Sequence, residues 1–210
     1  MDIQELNTLL QSRASHRKYK ADPVPEGDIR MMVENARLAP SGHNNQPWRF
    51  LAITNKELTN AMAKAVIRNL QALYPALPES EVQLLEKYKF FMDHFKDAPL
   101  VMAVLARRHD YTTTIIQAKY HLHLPKVELY DMELLGVGAA INNLLLAASV
   151  LGYGSCWMTE PIVYAQKDME NILSVKAPYH LVSIVAIGKP AKEKKCAPRK
   201  DVDELLEILH

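Results

Sequence analysis

The sequence predicts an α+β fold, a central mixed or antiparallel sheet flanked by helices, and three observations carry that reading. Segments with apolar residues at three- and four-residue spacing alternate with short runs rich in β-branched and aromatic residues. One such run, Leu100 to Ala106 (LVMAVLA), is bounded by Pro99 and by Arg107-Arg108, and reads as a central strand buried on both faces. A longer stretch, Leu134 to Leu151, is apolar nearly all round and rich in Gly and Ala, so it belongs at the core of a protomer or the seam of a dimer. At 210 residues the chain suffices for one substantial core, and 1–210 is read as a single domain.

In chain order, Ile3, Leu6, Leu9 and Leu10 recur at helical spacing, and Asp2 stands three before Glu5 as a capping box requires, giving a helix to about Ser12. Ile29, Met32, Val33 and Ala36 mark a second helix entered at Pro25-Glu26 and closed before Pro40. Trp48 to Ile53 is a strand. Leu58, Met62, Val66, Leu70 and Leu73 step helically from an Asn55 cap. After Pro75 and Pro78, the residues Val82, Leu85, Tyr88, Phe91, Met92 and Phe95 define the apolar face of another helix. Beyond the apolar helix, GYGSCWMT (152–159) turns into a strand, Pro161 opens a helix to Leu173, and LVSIVAIG (181–188) is a strand. The stretch 189–200 is basic, and a short helix is expected in the last ten residues. Met31, Met32, Met62 and Met92 fall on helical faces and read as core.

A net charge of +1 excludes a strong global field, so neither nucleic acid nor a membrane surface is expected as a partner. The acidic, amphipathic start is unlike a secretory signal, and the apolar runs fall short of the roughly 20 residues of a spanning helix, so a cytoplasmic location is expected. Cys156 and Cys196 lie far apart without CxxC spacing, against structural zinc, an iron–sulfur cluster or a disulfide framework. His109, His121 and His123 lack a partner at metal-site spacing, and no metal is expected. Any redox group would therefore be borrowed.

Two loops concentrate polar groups. Residues 39–50, APSGHNNQPWRF, hold two prolines that fix φ and a glycine, Gly42, that permits conformations closed to other residues, around more donors and acceptors than a turn needs. A polar turn and a small-molecule site both fit. Arg13-Ala14-Ser15-His16-Arg17-Lys18 offers guanidinium forks and a hydroxyl suited to phosphate, or a solvated basic loop. A second basic patch, Lys192, Lys194, Lys195, Arg199 and Lys200, would complete a dianion site if it converged on the first.

Taken together, Arg13-x-Ser15-x-Arg17, Pro40-Ser41-x-x-Asn44-x-Gln46-Pro47-Trp48, Gly152-Tyr153-Gly154-Ser155-Cys156-Trp157 and Gly188-x-Pro190 before a basic tail resemble the FMN-dependent nitroreductase family, over nearly the whole chain. The resemblance implies an intertwined homodimer with FMN at the subunit interface and NADH or NADPH as donor. It implies that Arg13, Ala14, Ser15 and Arg17 hold the phosphate and ribityl chain, that Pro40, Ser41, Gly42 and Asn44 reach FMN from the other subunit, and that Met158 and Thr159 offer backbone N–H groups near flavin N5. Arg199 or Lys200 would complete the phosphate clamp, and Arg13 is the candidate cation beside N1. The implied reaction is ping-pong hydride transfer to a nitroaromatic, quinone or activated alkene. A specialised relative, a reductive dehalogenase or flavin-fragmenting enzyme, or a non-catalytic FMN-binding protein, is the alternative. Thr159-Glu160 stands where many relatives carry glycine. Tyr111, Tyr120 and His123, within a 107–130 excursion over the flavin, are candidate substrate contacts.

Overall fold

A computed structural model describes residues 2–108, 119–121 and 133–209. Helix α1 (Ile3–Ser12) starts at a capping box in which Asp2 accepts from the backbone of Gln4 and Glu5 while the Glu5 carboxylate accepts from the Asp2 N–H. Helix α2 (Glu26–Ala36) follows an extended Pro25. Strand β1 (Trp48–Ile53) leads to α3 (Lys56–Gln71), whose first turn is capped by Asn55 Oδ1, and then to α4 (Glu79–Asp93). Strand β2 (Leu100–Arg107) precedes α5 (Glu133–Val150), β3 (Gly154–Met158), α6 (Glu160–Ile172) and β4 (Tyr179–Gly188).

The strands form one antiparallel sheet in the order β1-β2-β4-β3. Side chains alternate across it. Val101, Ala103 and Leu105 of β2 join Met62, Val66, Met92 and Phe95 on the α3/α4/α6 side, whereas Leu100, Met102 and Val104 join Met32, Ile141 and Leu144 on the α2/α5 side. Strand β2 is thus buried on both faces, as its unbroken apolar run requires. Helix α5 is long and apolar enough by composition to cross a bilayer, yet here Val137, Ala140, Ile141, Leu144 and Ala148 fill the second core layer.

Three expectations change. Tyr88 and Phe91, assigned to the buried face of α4, are exposed, and only Met92 of that helix is fully buried. Met31 is exposed, unlike Met32, Met62 and Met92. The tail forms only a 3-10 turn, Val202–Glu204, and its apolar residues Val202, Leu205, Leu206, Ile208 and Leu209 are all exposed.

Candidate functional site

Strand β3 lies at the edge of the sheet, and its outer side is where the first basic segment docks. Ser15 pairs with Ser155 in parallel, and the His16 N–H donates to the Ser155 carbonyl at 2.9 Å. The C-terminal stretch closes beside it: Lys20 N–H donates to the Lys189 carbonyl and Ala191 N–H to the Lys18 carbonyl. Glycine at 154 permits the approach, since a Cβ there would lie 2.6 Å from His16 Cγ. Beneath the segment, the Tyr19 hydroxyl donates to the His16 carbonyl at 2.5 Å and the Ala186 carbonyl at 3.2 Å.

The two basic patches therefore converge. Lys194 Nζ donates to the Ser15 carbonyl at 3.1 Å. A cavity of about 460 Å³ is lined by Arg13, Ala14, His16, Gly152, Lys194 and Lys195, and one of about 260 Å³ by Ser15, Arg17, Lys18, Phe90 and Lys192. Burial and, second, the Lys194 charge hold the His16 imidazole below its usual pKa. Among the described residues no carboxylate pairs with Arg13, Arg17, Lys192, Lys194 or Lys195. Glu193 also lines both cavities but pairs with none of these cations, and the excess of positive charge fits a phosphate-bearing group such as FMN. Arg199 donates to the Ala197 carbonyl and Lys200 pairs with Glu204, so the tail cation beside Ser15 is Lys194.

The same pairing orients β3. Since the Ser155 carbonyl faces outward, alternation turns the Trp157 N–H, and the Thr159 N–H just beyond the strand, to that open edge. Met158 faces β4, and its carbonyl accepts from Ser183 Oγ at 3.0 Å. Arg13 lines the first cavity together with Gly152, Tyr153 and Gly154, and Arg17 lies two residues past the Ser15 bridge, in the direction in which β3 runs. The Arg17 guanidinium lies 5.1 Å from the Phe91 ring centroid, a cation–π contact. Phe91 belongs to an aromatic cluster with Tyr88 and Phe90 that is 41–52% exposed. Below it His94, 1% exposed, has no hydrogen-bond partner on either ring nitrogen. Burial, reinforced by the Arg17 charge and opposed by Asp93, pushes its pKa down to about 4.

The second polar loop is held by its own bonds. Gln46 N–H donates to Ser41 Oγ at 2.9 Å, Asn44 N–H to the Ser41 carbonyl and Asn45 N–H to the Gly42 carbonyl. The left-handed residues are His43, Asn44 and Gln46, with φ of 53°, 51° and 47°, and Gly42 is not among them. Arg107, at the end of β2, fastens the loop through Nη2 to the Asn45 carbonyl and Oδ1, at 3.2 and 3.0 Å. The loop seats on α5 at Gly136, where a Cβ would meet the Pro40 carbonyl at 3.1 Å. Pro40, Gly42 and Asn44 are exposed and Ser41 half-buried.

Within one protomer the loops lie at opposite ends of α5. Ser149, bonded to Ser12 at 3.1 Å, stands beside the basic segment and Gly136 beside the other loop, about 20 Å apart at the helical rise. Sequence reasoning missed the exposed aromatics and Arg107. The β1–β2 register, which sets Trp48 opposite Ala106, is the signal that brings Arg107 to the residues preceding β1. Tyr111 and His123 lie outside the described residues, and Tyr120 is exposed.

Comparison with known proteins agrees with this architecture. An oxygen-insensitive NADPH nitroreductase of Helicobacter acinonychis is 26% identical over 181 residues, 82% of this chain and 81% of the relative. A BluB-like flavoprotein of Clostridium difficile 630 superposes with a TM-score of 0.87 at 27% identity, covering 100% of both chains. An iodotyrosine deiodinase bound to FMN and 3-iodo-L-tyrosine superposes with a TM-score of 0.70 at 25% identity, covering 94% of this chain and 96% of the other. The Nitroreductase family model matches residues 10–189, and with the fold, the edge-docked basic segment and the convergent tail in place, the chain belongs to the nitroreductase family.

Proposed function

We propose that the protein is an FMN-dependent oxidoreductase that works as a homodimer, with NADH or NADPH as donor and a flat electrophile (a nitroaromatic, quinone or activated alkene) as acceptor. The observation that carries this reading is the convergence of Arg13, Ser15, Arg17 and Lys194 on the open edge of β3, where the cations outnumber the lining carboxylate, Glu193. When bound, FMN supplies the two-electron chemistry, in a ping-pong cycle.

The residues divide that work along the strand. Arg13, Ser15 and Lys194 hold the phosphate, with Ala14 contributing backbone. The segment runs parallel to β3, so Arg17 lies farther than Arg13 toward the end of the strand at Thr159, which supports Arg17 as the cation toward the flavin ring and Arg13 as a phosphate contact. A guanidinium there favours negative charge on the ring system. The outward N–H of Thr159 supplies a fixed donor with no titratable side chain. Tyr88, Phe90 and Phe91 offer a flat apolar surface to a planar acceptor.

The separation of the loops within one protomer supports the dimer, since the proposed cofactor site needs both. A two-fold partner packed antiparallel along α5 brings its Pro40–Asn44 loop to the basic segment of the first protomer. The exposed apolar groove of Leu9, Met31, Leu38, Leu146 and Val150, about 420 Å³, supports such an interface.

The test is the visible spectrum of the FMN-reconstituted protein under anaerobic conditions, before and after addition of NADH or NADPH. Bleaching of the flavin band is expected, and a colourless protein after reconstitution would refute the cofactor assignment. A band that neither donor bleaches would favour the second reading, a reductive dehalogenase or flavin-fragmenting enzyme, which the likeness to the BluB-like flavoprotein and the deiodinase motivates.

A further inference from the structure

We infer that Arg107 is a positioning residue that acts on the cofactor site of the other subunit. The inference rests on the dimeric FMN site proposed above and adds to it a residue that touches neither cofactor nor substrate. Three non-glycine residues of the Pro40–Pro47 loop hold left-handed backbone, a conformation disfavoured wherever nothing enforces it. The loop's internal bonds link Ser41, Gly42, Asn44, Asn45 and Gln46 to one another but not to the fold.

Arg107 makes that connection. It ends β2, the strand buried on both faces, and its own N–H donates to the Pro47 carbonyl at 3.0 Å while its guanidinium binds both oxygens of Asn45. One terminal nitrogen, Nη2, reaches a backbone and a side-chain oxygen of the same residue, so a single group fixes both the path of the loop and the Asn45 side chain. The seat at Gly136 supports the loop from below by close contact with Pro40 and Ser41. Arg107 thus ties the shape of the loop to the rigid sheet, and since the loop faces the partner's basic segment, the effect appears across the interface.

The experiment uses two differently tagged full-length chains, one Arg107→Met and one Arg13→Met, co-expressed and purified as the mixed dimer, with FMN binding read by flavin fluorescence. Each homodimer should bind FMN about ten- to hundredfold more weakly than wild type. The mixed dimer pairs the intact basic segment of the first chain with the intact loop of the second, and should bind one FMN per dimer at wild-type affinity. A mixed dimer no better than its parents would overturn the action in trans. Wild-type affinity in the Arg107→Met homodimer would overturn the role altogether. A wild-type chain that holds no FMN would remove the cofactor reading, and this inference with it. If Arg107→Met does not fold, Asn45→Ala, which deletes the Oδ1 acceptor, takes its place, and Arg107→Lys should recover part of the affinity.

Discussion

The two polar loops differ in what holds them. The Arg13–Lys18 segment is extended, lies along a sheet edge and carries unpaired cations, so its shape comes from the strand it borders and its binding from charge. The Pro40–Pro47 loop is left-handed at three positions, bonded to itself, and clamped by Arg107. The contrast teaches that a pocket for a charged, planar group can combine a responsive electrostatic half with a shape-determined half. The first should answer to pH and salt, the second to sterics.

The largest expected effect arises at His94, buried below the aromatic cluster on which Arg17 rests. His94 folds with a pKa of about 4 against an ordinary 6.5, so the folded state binds fewer protons than the unfolded one in that window. Its stabilising contribution is complete above about pH 6.5 and is lost as pH falls toward 4, by about 3 kcal/mol. Denaturant unfolding from pH 7 to 4 should show this acid limb, and His94→Phe should flatten it. An unchanged limb in the variant would place the acid sensitivity elsewhere.

Gly154→Ala comes next, at about 2 kcal/mol, because backbone or the root of His16 must move to admit the new methyl. Reduced melting temperature together with weak FMN binding is expected. Full FMN affinity would mean the segment binds without its strand edge. Arg13→Met should leave the melting temperature of the cofactor-free protein near wild type while weakening FMN about tenfold or somewhat more, with a shallower dependence on salt. An unaltered salt dependence would break the electrostatic half of the comparison.

Gly136→Ala is the smallest. Helix propensity gains about 1 kcal/mol for the fold, whereas displacement of the Pro40 carbonyl should weaken FMN by about 1 kcal/mol, independent of salt. That split, stability held and affinity lost, is the signature of a shape-determined loop. A salt-dependent loss would contradict it.

Much of the fold was legible in the residues. Asp2 and Asn55 cap where short polar side chains can reach free N–H groups, and the unbroken run of β2 has one stable setting, between two helical layers. Local rules failed where neighbours decide. Tyr88 and Phe91 follow helical spacing, yet the layer beneath α4 is already filled by Met92, Phe95 and α3, so the rings stay outside. Gly42 was the evident candidate for left-handed backbone, but His43, Asn44 and Gln46 take it because Ser41 and Arg107 fix the loop around them.

The sequence by itself determined helices α1 to α6, the strands, the three-layer plan and the four motifs that mark the family, since caps, periodicity and motif spacing are local properties. Only the tertiary structure decided that Lys194 rather than Arg199 meets Ser15, that Arg17 rests on Phe91, and that Arg107 holds Asn45. Those pairings depend on strand register and on the path of the tail, which are set by packing between residues far apart in the chain.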